Sequence, residues 1–242
     1  MASENTPFSR LQIELANLIA RTSAGERLPS EPKLASMLGV SRATLREAMR
    51  TFEGQGLIRR KQGQGTFVVG RPKVIESGLE VLESIETLAR KIDLKVSMGE
   101  VKVEMIKTDM EQAQALGVTE GVQVIRVDRV IYAENRPVAR LVDVLPCDVI
   151  LPEELKQDFT GSVLDFLLRR GVPALSNSRT EIRAVAASPE VARALQIQRG
   201  DVLLQFIARL FDVSGRVVDY SLSYFLPGYF RFHVIRKLEK DT

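Results

Sequence analysis

The sequence holds a single cysteine, Cys147, and a single histidine, His233. One cysteine excludes an internal disulfide, and with one histidine it excludes any Cys/His zinc cluster; no metal or other cofactor is expected. No uncharged apolar run approaches the ~18–20 residues that a membrane-spanning helix needs, so no membrane partner is expected. The N-terminus carries Glu4, Arg10, Glu14 and Arg21 without an apolar core, which speaks against a secretory signal. A reducing, cytoplasmic location is the economical reading. Net charge is also scarce, at +3, but it is unevenly spread: residues 1–72 hold 11 Lys+Arg against 6 Asp+Glu, and the remainder 23 against 25. A compact basic head on a mildly acidic body fits nucleic-acid contact confined to one end. The 242 residues are 45% hydrophobic, 27% charged and 6% aromatic, enough for one large domain or two ordinary ones with real cores.

The first 70 residues read as three helices and a hairpin. Phe8, Leu11, Leu15, Leu18 and Ile19 recur at helical spacing. Ser30 reads as the N-cap of a short helix with Leu34, Ala35, Met37 and Leu38, closed by Gly39. Ser41 caps a further helix whose Leu45, Ala48, Met49 and Phe52 form one apolar stripe, ending near Gly54–Gly56. Two β-favouring runs, 57–61 and 66–69, flank the turn Gln62-Gly63-Gln64-Gly65. Gly70-Arg71-Pro72-Lys73 reads as a linker, and Ser77–Ile92 as an amphipathic helix through Leu79, Leu82, Leu88 and Ile92. The remainder contains an internal repeat: Ala113–Val118 followed by Gly121 and a strand matches Ala192–Ile197 followed by Gly200 and a strand. Each copy continues through a turn into a second strand, so each is a short helix plus a β-hairpin. Two such units bury their apolar faces most simply by sharing one antiparallel sheet, an α+β domain.

Helices 30–38 and 41–53 across the turn Gly39-Val40 make a helix-turn-helix, and the hairpin makes it winged. Such a motif sets the start of its second helix against base edges in the major groove. Here that start carries Ser41, Arg42, Thr44 and Arg46. Arginine forks onto guanine, and hydroxyls reach phosphate or base. The apolar stripe leaves Arg42, Arg46 and Arg50 pointing outward. The small wing tip at Gln62 and Gly63, with Arg59, Arg60 and Lys61 beside it, suits close approach to a groove or backbone. Leu28-Pro29-Ser30-Glu31, Val40–Ala48, Gly56-Leu57-Ile58 and Gly63–Val68 together resemble the winged helix of GntR-type bacterial repressors over residues 8–70. The resemblance implies DNA contacts at Arg42, Thr44, Arg46 and Gly63. Pro32 stands where many members carry a DNA-contacting arginine, which implies a different operator sequence.

From about residue 95 the chain resembles the UTRA effector domain of the HutC-like branch, which has a chorismate-lyase-like α+β fold. The resemblance rests on Gly121-x-x-Val124-x-Arg126-x-x-Arg129, Arg136-Pro137-Val138, Pro146, Ala194-Leu195-x-Ile197 and Asp219-Tyr220. Strand parity puts Ile125, Val127, Arg129 and Ile131 on one face and Arg126 and Asp128 on the other. An arginine among aliphatics needs an anion, so Arg129 serves either a ligand or an internal salt bridge to Asp143 or Asp219. Asp219, Ser221, Ser223 and Phe225 share a face that lines a pocket or meets water. The resemblance implies ligand contacts at Arg129 and Asp219 and a phosphate-binding role for Ser162. It departs from the sugar-phosphate-sensing pattern twice: Ile131 replaces a second arginine, and Asp143 stands one same-face step beyond an expected acid. The effector is expected to be a sugar phosphate or another anionic, less charged metabolite.

These readings give a ligand-responsive transcriptional regulator, read as a repressor: a winged helix-turn-helix over 1–70, a linker and connecting helix over 71–94, and a UTRA-like effector and dimerisation domain over 95–242. One winged helix offers a small interface, and two-fold proteins read palindromic half-sites, so a homodimer on a double-stranded operator is expected. The competing class is a lyase-like enzyme on the related fold, with Arg129 anchoring a carboxylate. No Ser/His/Asp set or paired catalytic acids is evident for it, and Cys147 and His233 read as structural or surface residues.

Overall fold

A computed structural model describes residues 7–61, 63–69, 74–157 and 159–236. Wing-tip residue Gln62 and the linker at 70–73 lie outside them. The chain divides into two compact units, one formed by Met1–Val74 with Leu226–Tyr229 and the other by Ile75–Phe225 with Phe230–Thr242.

In the first unit α1 (Pro7–Arg21), α2 (Glu31–Met37) and α3 (Arg42–Gly54) precede a hairpin of β1 (Ile58–Lys61) and β2 (Gly65–Val68). The helical stripes meet as expected: Leu11, Leu15, Leu34, Leu45, Met49 and Ile58 form one buried core. Ser41 caps α3, its Oγ accepting from the Thr44 N–H at 3.1 Å. The hairpin pairs Ile58 with Val68 and Lys61 with Gly65, so the β-branched side chains close the core from below. Gly63 and Gly65 both have positive φ, at 72° and 111°. A side chain at Gly65 would meet only the movable Arg27 guanidinium, so this turn needs glycine for its conformation.

The second unit is built on a six-stranded sheet of β4 (Val96–Lys107), β5 (Gln123–Ala133), β6 (Arg136–Pro146), β7 (Leu175–Ala186), β8 (Val202–Asp212) and β9 (Val217–Phe225). Its spatial order is β4-β5-β6-β9-β8-β7, antiparallel throughout. The repeat is larger than the sequence pattern suggests. Each copy is strand, short helix, hairpin: β4, α5 (Met110–Leu116), β5, β6, then β7, α8 (Pro189–Ala194), β8, β9. The copies meet at β6 and β9 in mirrored order, so each leading strand lies at a sheet edge. Strand β7 is largely exposed, which removes the apolar alternation that would announce it.

The expected helix over Ser77–Ile92 is not formed as such. Residues Ile75–Gly78 form β3, which pairs in parallel with β10 (Phe230–His233), and only Ile85–Lys91 is helical, as α4. Ser84 caps α4 by accepting from the Thr87 N–H at 3.0 Å, with Glu86 in the first turn. Leu79 and Leu82, which suggested a helical stripe, lie exposed on the connecting loop, as does Val81. Pairing with a strand some 150 residues away overrides local helical spacing here.

Two faces follow from parity. On one, Ile125, Val127 and Leu145 pack with Val163, Phe166 and Leu167 of α7 (Val163–Arg170). On the other, Val124, Val144 and Tyr220 pack with Leu116 of α5, and the Tyr220 hydroxyl donates to Glu111 at 2.7 Å. Arg126 and Asp128 fall on this second face, where Asp128 accepts two hydrogen bonds from the buried Arg140, and Glu190 at the start of α8 also pairs with Arg140. This network satisfies three charged groups and fixes α8 to the sheet.

Candidate functional sites

The first site is the outer surface of α3. Arg42, Arg46 and Arg50 are exposed, while Leu45, Ala48, Met49 and Phe52 are committed to the core. Ser41 and Thr44 hydroxyls lie 2.8 Å apart at the helix start. Arg42 makes no ion pair among the described residues. Arg46, half exposed, donates through Nε to Glu31 at 2.7 Å, so its guanidinium is already oriented by α2. Of the basic residues of β1, Arg60 turns inward: its side chain is 18% exposed, and it lies near Glu53 and Glu31 while donating to the Arg46 carbonyl. Lys61 is exposed, its Nζ 5.1 Å from the centre of the Phe67 ring, and Gly63 has open space where a side chain would stand. Lys61 and the wing turn thus sit on the same unit as the α3 arginines.

The second site is a cavity of about 560 Å³ within the sheet-containing unit, a size typical of small-molecule pockets. Arg129, Asp143, Ser162, Asp219, Ser223 and Phe225 all line it, so the row along β9 faces the cavity rather than water. The two readings of Arg129 merge: it is 4% exposed, pairs through Nη1 with Asp143, and still faces the cavity. Its guanidinium carbon lies 5.8 Å from the centre of the Phe159 ring. Arg129 Nε and Asp219 Oδ1 are buried without a hydrogen-bond partner among the described residues. Burial, reinforced by the Asp143 carboxylate, holds Asp219 well above the usual carboxylate range. Ser162, 3% exposed, caps α7 by accepting from the Asp165 N–H at 3.0 Å. Phe225 closes one end in contact with Phe206, Phe230 and Phe232, with ring centres 4.8–5.1 Å apart.

The sequence reading missed the opposite wall. Ser84 donates to Asp165 at 2.6 Å, tying the start of α4 to the first turn of α7. Beside it Glu86 faces the cavity, and burial raises its carboxyl above the ordinary value. Ser176, Ser178 and Thr180 of β7 add hydroxyls. The cap signal at Ser84 was present in the sequence, but the spacing of Leu79 and Leu82 masked it.

Comparison with known proteins matches each unit to a known domain. Residues 10–68 match the model of the gntR family of bacterial regulatory proteins, and residues 93–231 match the UTRA domain. The histidine utilization repressor of Pseudomonas aeruginosa is 32% identical over 205 residues, covering 84% of this chain and 78% of that one. The repressor NagR of Bacillus subtilis is 28% identical over 85% of this chain and 83% of that one. The crystal structure of PhnF from Mycobacterium smegmatis, 22% identical, superposes with a TM-score of 0.63 over 95% of this chain and all of that one. These relatives are regulators rather than enzymes. No helix among the described residues is long and apolar enough to cross a membrane. The chain therefore belongs to the gntR family of bacterial regulatory proteins, a DNA-binding transcriptional regulator whose winged helix is followed by a UTRA effector domain.

Proposed function

We propose that this chain is a cytoplasmic, homodimeric repressor whose affinity for a palindromic operator changes when a small metabolite occupies the Arg129 cavity. The division of labour is 1–70 for DNA, 71–94 for the connection, which also supplies the Ser77–Glu86 wall of the cavity, and 95–242 for the rest of effector binding and for dimerisation. Ser41, Arg42, Thr44, Arg46 and Arg50 meet the major groove, while Lys61, Gln62 and Gly63 approach the flanking backbone or minor groove. Arg129, Asp143, Ser162, Asp219, Ser223 and Phe225 hold the effector.

The observation that carries this reading is a cavity lined by buried charged groups with unused hydrogen-bonding capacity, in a chain whose other unit exposes the α3 arginines. Groups left in that state cost stability unless a ligand uses them. The same lining argues against a phosphorylated sugar. Among the described residues the lining offers one guanidinium, already paired with Asp143, so a dianion would find little to compensate its second charge. Arg129 suits a single carboxylate-sized anionic group. The wall from Ser77 to Glu86 follows the DNA-binding head closely in sequence, so a ligand that shifts this wall acts on the segment leading to the head.

The test is operator titration with and without metabolites, at two salt concentrations. Binding should weaken by ~10³-fold or more between 50 and 200 mM salt if each head contacts several phosphates. The effector that changes operator affinity should have its own affinity changed by operator through the same factor. Salt-insensitive binding, or operator affinity indifferent to every metabolite tried, defeats the proposal.

A further inference from the structure

Among the described residues lining the cavity, Arg129 is the one basic side chain, against Glu80, Glu83, Glu86, Asp143 and Asp219. Two of these carboxyls carry an oxygen buried without a hydrogen-bond partner, Glu86 Oε1 and Asp219 Oδ1. Asp219 is 6% exposed and stands on the cavity-facing row of β9. Glu86 approaches from α4, on another wall. A carboxyl oxygen lacking a partner accepts hydrogen bonds and, when ionised, needs a positive charge. Arg129 lends its charge to both but no hydrogen bond to either orphan oxygen, its Nη1 being engaged by Asp143.

We infer that the effector is a zwitterion that presents a protonated nitrogen to Asp219 and Glu86 while its carboxylate faces Arg129. The inference rests on the cavity being the effector site and narrows the class of effector. The free Nε of Arg129 can donate to that carboxylate without releasing Asp143, because a guanidinium has donors to spare. An organic nitrogen is favoured over a metal ion, since no group of three or more acidic, histidine or cysteine side chains among the described residues is arranged to hold one. An ammonium has three donors, enough to satisfy both orphan oxygens. Burial raises the carboxyls of Glu86 and Asp219, in surroundings that also include Arg129, Asp143 and Asp165. Both are therefore groups that a bound cation would stabilise in their charged forms.

The experiment compares free L-amino acids, their N-acetyl derivatives and glucose 6-phosphate as probes, by thermal shift and calorimetry on the full chain. N-acetylation removes the positive charge and leaves the carboxylate. A free amino acid should raise the melting temperature, and its N-acetyl derivative should not at the same concentration. Asp219→Asn and Glu86→Gln should each weaken that amino acid roughly tenfold or more. The paired-probe comparison uses the wild-type chain, so it stands even if the buried Asp219→Asn variant fails to fold. Equal binding of the free and acetylated forms, or no shift with any free amino acid, overturns the inference. Arg129-dependent binding of glucose 6-phosphate that also changes operator affinity would overturn it while leaving the sensor reading intact. Operator affinity indifferent to all three classes would defeat both.

Discussion

Replacing Arg129 with glutamine removes the cavity's basic side chain and leaves Asp143 buried without its guanidinium. Breaking one half of a buried pair costs about 3–5 kcal/mol, because the surviving carboxylate stays desolvated without the opposite charge. The Asp219 side chain, which also hydrogen-bonds Asp143, keeps the loss toward the lower end of that range. The variant should therefore fold but lose about 3 kcal/mol. Urea titrations followed by circular dichroism measure the loss. The double variant Arg129→Gln/Asp143→Asn, which removes the stranded charge with its partner, should recover most of it. A loss under about 1 kcal/mol would refute the reasoning, as would a double variant no more stable than the single one.

Arg42→Ala should cost about 1–3 kcal/mol on the specific operator and relax one base preference, whereas Lys61→Ala should weaken all sequences alike; competition titrations against point-substituted operators separate the two. The full chain should be a dimer by light scattering at micromolar concentration, and a monomer that still binds a palindromic operator tightly would contradict the proposed assembly. Asp219→Asn should be stabilised relative to the ligand-free wild type by an amount that grows as pH rises above about 4. The wild-type carboxyl is raised on folding, so its folded state holds a proton that the unfolded state has already lost, and asparagine does not titrate. A stability difference independent of pH, measured by denaturation from pH 4 to 8, would rule this out.

Local patterns were enough for the DNA-binding head. The cap at Ser41, the stripe Leu45/Ala48/Met49/Phe52 and the glycine turn act over a few residues each and agree with the core that forms, whereas Ser30 stands at the N-cap position of α2 without a side-chain cap. Parity along single strands likewise put Arg129 with Ile125 and Val127, and Asp219 with Ser223 and Phe225. Tertiary structure decided what those faces meet. That Arg129 both pairs with Asp143 and lines a cavity depends on β5, β6 and β9 lying side by side, which no local spacing specifies. The strand Ile75–Gly78 exists because β10 is there to pair with it, and that contact frees Leu79–Glu83 from the helix that their spacing suggested. Glu86 became part of the site for the same reason. Its burial comes from elements distant in the chain, and the sequence around it reads as the interior of a longer helix over Ser77–Ile92.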